Sequence, residues 1–133
     1  MEMLVTIPNI EFVKEIPSDL EHDTFFDINK RNLMVNDDQM DNAGGDNQIV
    51  NLFTRGSHHR NLSVVYIVQN LFYQGKGSRS ISLNSHYLAL FKNPRDKLQI
   101  LTLAKQMYPG HTDLFIKLYN EAVRRPFGIC SLI

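Results

Sequence analysis

Apolar positions in this chain come in short runs, and their spacing switches between strand-like and helix-like stretches. Phe12, Val13 and Ile16, bounded by Pro8 and Pro17, predict a short strand over 11–16. Residues 19–31 are polar and acidic around Phe25 and Phe26, which predicts a loop that docks through its two aromatics. Leu33-Met34-Val35 predicts a second strand, over 32–36, that stops at Asp37-Asp38. The stretch 41–46 with Gly44-Gly45 reads as a flexible turn. Ile49, Val50, Leu52 and Phe53 then share one helical face until Gly56 ends it.

The clearest strand is Leu62–Val68, whose near-continuous apolar run predicts a parallel strand buried on both faces. Gln69-Asn70 closes it with polar groups. Gly75–Ser80 reads as a Gly/Ser/basic loop, Ser80–Ser85 as a short helix and His86–Phe91 as a strand. Asn93-Pro94 predicts a helix start, with Asn93 as cap, and the helix runs through Met107 on Leu98, Leu101, Leu103 and Ala104. After Pro109-Gly110, Thr112 is placed to cap a helix whose Leu114, Phe115, Leu118, Tyr119 and Ala122 form a core stripe. Pro126 separates it from a final strand within 127–133. Strands alternating with helices predict an α/β fold with a mostly parallel sheet flanked by helices. There is no internal repeat and no low-complexity tract.

Composition narrows the picture without changing it. The 133 residues carry 14 basic and 14 acidic side chains, with 43% hydrophobic and 21% charged residues, as in soluble globular proteins. One domain over 1–133 is expected, with 1–31 a leading strand and loop and 32–133 the main body. A balanced charge argues against a dedicated polybasic nucleic-acid binder but leaves room for DNA contact through a local basic patch or in an assembled ring. Cys130 is the only cysteine, so no intrachain disulfide can form, and its apolar setting predicts a packed core thiol. No apolar run approaches the ~20 residues that cross a bilayer, and there is no signal pattern. The sequence thus predicts a soluble intracellular protein, of cytoplasm or nucleus, with no membrane partner. The chain also stops at Ile133 inside an apolar run, which raises the expectation of a fragment.

Candidate chemistry gathers where parallel strands end, because ligands of α/β sheets bind at the carboxyl ends of strands. Asp37-Asp38 closes one strand and Gln69-Asn70 the next. An apolar strand ending in two acids is the Walker B pattern of P-loop ATPases: one carboxylate fixes hydrated magnesium and the next polarises the attacking water. A simple turn is the plainer reading of two aspartates. The order of the two strand tips favours the site.

Other constellations are weaker. Gln74-Gly75-Lys76-Gly77-Ser78 fails the spacing of a phosphate loop and follows the acidic pair instead of preceding it. It reads as a flexible basic loop, with a DNA-facing role for Lys76 and Arg79 as the minor alternative. His58 and His59 with His86 and His111 do not suit a zinc site, because adjacent histidines do not easily ligate one ion. Arg55, Arg60, Arg79 and Arg95 fall near predicted loop or helix ends, where one can act as an arginine finger on a neighbouring subunit.

Four segments carry a resemblance: Leu33–Met40, Asn51–Asn61 with its Gly-Ser-His-His-Arg-Asn string, Val64–Phe72, and Ser82–Asp96 with Phe-Lys-Asn-Pro-Arg-Asp. Together, from about Ile10 onward, they resemble the genome-packaging ATPases of the HerA/FtsK superfamily, chiefly those of Polinton (Maverick) virus-like mobile elements. The resemblance implies part of a RecA-like P-loop NTPase core, ring assembly as a homo-oligomer, and double-stranded DNA as the translocated partner. It implies Mg2+ and ATP as cofactors. It assigns Asp37 to the metal, Asp38 to water activation, Gln69 to nucleotide sensing, and Arg60 or else Arg95 to the arginine finger.

Two departures stand out. Asn36 and Gln39 occupy positions where that family is apolar, and no phosphate loop lies among the 36 residues before Asp37. In the family's sheet the phosphate-loop strand lies between the strands read here at 62–68 and 86–91. Its absence predicts two open edges and a chain that is marginally stable alone, or pairs those strands directly, or borrows a strand from a partner. The expectation is a truncated or degenerate ATPase domain, inactive alone. The alternatives are a non-catalytic module docking on a complete ATPase subunit, or a weak DNA binder through Lys76, Arg79 and the Arg55–Arg60 loop.

Overall fold

The computed structural model describes residues 9–14, 16, 17, 20, 25–37, 43–56, 61–72 and 76–133. In chain order they form β1 (Asn32–Asp37), α1 (Ala43–Asn51) running into a π-helical turn (Leu52–Gly56), β2 (Leu62–Ile67) and α2 (Lys76–Asn84). Then follow β3 (Leu88–Phe91), α3 (Lys97–Met107), α4 (Thr112–Ala122) and β4 (Ile129–Leu132). The fold is mixed α/β, as the alternating pattern predicts.

The strands do not share one sheet. β1 and β2 pair in parallel, from Asn32 opposite Leu62 to Asp37 opposite Ile67. β3 and β4 pair antiparallel, with Phe91 opposite Ile129. The expected mostly parallel sheet is therefore corrected to one parallel and one antiparallel pair. Direct pairing of β2 with β3 does not occur either. Among the described residues each keeps one edge without a strand neighbour.

Two apolar clusters hold the chain together. Leu20, Ile49, Leu52, Leu62 and Ile81 are buried between the inner face of β1–β2 and the helices α1 and α2, joined by Met34, Val64 and Tyr66. Ile100, Leu103, Ala104, Phe115, Tyr119 and Val123 form the second cluster, between α3, α4 and the inner face of β3–β4. Leu71 and Phe72, just after β2, pack into this second cluster. They carry the chain from one core to the other.

Several boundaries move from their sequence positions for local reasons. No strand forms over the described part of 11–16, and Phe12 and Val13 stand exposed. Helix α1 begins at Ala43, inside the stretch read as a turn, and α2 begins at Lys76, inside the stretch read as a loop. Asn93 does not cap α3. Its Oδ1 accepts from Arg95 N at 3.1 Å, which closes a turn instead, and Asp96 is the cap. His111, not Thr112, occupies the cap position of α4. Of the α4 stripe, Phe115 and Tyr119 are buried while Leu114 and Leu118 face outward, a narrower stripe than the period alone suggests. Phe26 does dock on the first cluster. Leu20, from the same polar stretch, is more deeply buried than either aromatic.

The expectation that 62–68 is buried on both faces is also corrected. Alternation along the parallel pair puts Leu33, Val35, Val65 and Ile67 on the outer face, at 66%, 57%, 44% and 48% exposure. A parallel sheet in an α/β protein is normally covered on both faces. Here the described residues cover only one.

Candidate functional site

The parallel register decides which strand tips meet. Asp37 is the last residue of β1 and lies level with Ile67, the last residue of β2. Gln69 follows two residues later, so Asp37 and Gln69 emerge at the same carboxyl edge of the sheet. Both are exposed. Asp38 and Arg60, expected as water activator and arginine finger, lie outside the described residues.

A polar clasp fixes the segment beyond β2. The side chain of Gln99, on the first turn of α3, accepts from Leu71 N at 2.8 Å through Oε1. Its Nε2 donates to Asp96 Oδ2 at 2.7 Å and, more weakly, to the Gln69 carbonyl at 3.4 Å. Asp96 in turn accepts from Gln99 N at 3.3 Å as the helix cap. Asn70 Oδ1 accepts from Phe72 N at 2.9 Å and tightens the same bend. One amide side chain thus satisfies groups from two elements and seats the N-terminus of α3 against the tip of β2.

The clasp brings Gln69, the sensing candidate, to the corner that carries Arg95, the second arginine candidate. Arg95 precedes the Asp96 cap and its side chain is exposed. Asp96 and Gln99 escaped the sequence reading. The signal was present: an acidic cap followed three residues later by Gln is a capping-box spacing.

Next to Asp37, Asn36 is only 6% exposed, and its Nδ2 is buried without a hydrogen-bond partner. The departure noted at this position therefore costs stability in the folded chain. The remaining candidates separate. Arg55 is exposed in the π-helical turn, and Arg79 is exposed within α2. His86 and His111 are exposed, and no group of three or more His, Cys, Asp or Glu gathers among the described residues. Cys130 is half-buried on the second cluster, and burial raises its thiol pKa. That setting suits packing more than nucleophilic chemistry.

The site's fit to Mg2+ and ATP is one-sided. Asp37 offers an exposed carboxylate at a strand tip, suited to a hydrated cation. Phosphates need clustered backbone N–H groups and a lysine, and the sequence has no loop that supplies them. Among the described residues, Asp37 therefore fits a cation, and no group is seen that fits the phosphates. No helix among the described residues is long and apolar enough to cross a membrane.

The chain matches no protein-family description, no curated protein and no solved structure.

Proposed function

We propose that these residues are a partial, degenerate core of a DNA-packaging type of ATPase, which does not hydrolyse ATP alone. The observation that supports the reading is the parallel register that sets Asp37 level with Ile67, so that Asp37 and the nearby Gln69 share one carboxyl edge. In an ATPase of this kind that edge faces the nucleotide. Asp37 is the magnesium-side carboxylate of the proposal, Asp38 the water-activating one and Gln69 the sensor. Arg60 or Arg95 serves as the finger toward a neighbouring subunit in a ring. Mg2+, ATP and double-stranded DNA belong to the assembled machine.

A second reading, a non-catalytic module docking on a complete ATPase subunit, draws on the outer face of the sheet. Leu33, Val35, Val65 and Ile67 form an apolar surface beside strand edges that no described strand pairs with. Such a surface favours burial against a partner. Size-exclusion chromatography with light scattering, with and without a complete packaging-type subunit, tests the docking. Co-elution that is lost in Val35→Lys/Val65→Lys supports it. A well-folded monomer that ignores the complete subunit counts against it.

A further inference from the structure

The turn between α4 and β4 displays an aromatic ring at a conformational cost. Gly128 N donates to Arg125 O at 3.0 Å, closing a four-residue turn over Arg125-Pro126-Phe127-Gly128. Proline fixes a negative φ at the second position, while Phe127 at the third has φ 60°. That combination is the type II turn, whose third position is normally glycine. A bulky residue there is an outlier. Backbone strain of this sort persists where its surroundings impose it, and it is enriched at ligand sites.

The turn packs closely on the chain before it. A Cβ on Gly128 would collide with the carbonyl oxygen of Ala122 and sit 3.0 Å from both Arg125 O and Val123 Cα, so the turn is pressed onto the end of α4. On the other side, Tyr119 Oη donates to the Phe91 carbonyl at 2.8 Å and anchors the end of β3. Beside the turn lies an open surface hollow of about 330 Å3 lined by Phe91, Lys92, Arg124, Arg125 and Phe127.

The chemistry of those walls is specific. Phe127 is 97% exposed, so its ring contributes nothing to the core and offers a face to solvent. Phe91 is also exposed. Arg124 is held at 3.1 Å by Glu121, while Lys92 and Arg125 have no acidic partner among the described residues. A displayed ring beside unpaired cations can stack a base and hold the adjoining phosphates. A duplex hides its base faces, so the ring favours an unpaired strand.

We propose that this surface hollow binds single-stranded nucleic acid, with a base stacked on Phe127 and backbone phosphates on Lys92 and Arg125. The site is separate from the Asp37–Gln69 edge and does not depend on its function. Fluorescence anisotropy tests it with labelled oligothymidylate and oligouridylate of about ten nucleotides, and with a duplex of equal length.

The chain should bind the single strands more tightly than the duplex. The two single-stranded arms distinguish DNA from RNA as the source. Phe127→Gly should weaken binding about tenfold or more, while its melting midpoint stays at or above that of the parent. Phe127→Tyr should retain binding. Lys92→Ala/Arg125→Ala should flatten the dependence of log affinity on log salt by roughly one and a half. No binding to either single strand, equal binding of the duplex, or unchanged affinity in Phe127→Gly would overturn the proposal.

Discussion

Asn36 is a weak point of the parallel pair. Its amide nitrogen is buried without a partner, a situation that costs about 1–3 kcal/mol. Asn36→Val removes the unmet donor and adds a β-branched residue suited to a strand. Urea denaturation should show a gain of about 1 kcal/mol or more. A loss on that substitution would mean that Asn36 has a hidden partner. Cys130 gives a second residue-scale test. Burial raises its thiol pKa in the folded chain, so the unfolded thiol ionises first as pH rises. Its contribution to stability is full below the ordinary thiol pKa and is lost as pH climbs from there through the raised folded value. At alkaline pH, Ellman's reagent should therefore react more slowly with the native chain than with the urea-unfolded one, and equal rates would contradict the packed setting.

At the scale of elements, the clasp between β2 and α3 joins the two halves of the fold. Gln99→Ala removes the acceptor for Leu71 N and the donor to Asp96 and Gln69, and should cost about 1–3 kcal/mol. Amide hydrogen exchange should show Leu71 losing protection in that variant. Unaltered protection would mean that the apolar contacts of Leu71 and Phe72 hold the segment unaided. Most elements were legible from the sequence because each has a strong local signal. Val64, Val65 and Ile67 mark β2, the Leu98–Ala104 spacing marks α3, and Asn32–Asn36 gives β1 to within a residue. What stayed hidden depends on distant partners. The antiparallel pairing of β4 with β3 leaves no trace in either strand alone. The cap of α3 went to Asp96 because Asn93 closes its own turn, a competition between two equally plausible side chains. Phe127 was read as part of an apolar strand, and only the turn geometry turns it outward.

At the largest scale, the described residues form two small cores under two short sheets, with an apolar outer face on the parallel pair. Only the order of strand tips in the candidate site was legible in advance. Asp37 and Gln69 were placed by the parallel register, whereas the fastening through Gln99 needed the tertiary structure. The proposed reading, an ATPase-type edge at Asp37 that does not hydrolyse ATP alone, is tested most directly by catalysis. The decisive measurement is magnesium-dependent ATP hydrolysis by the purified chain, beside its Asp38→Asn variant. The account predicts no turnover above background for either protein. Turnover by the parent chain that Asp38→Asn abolishes would contradict it.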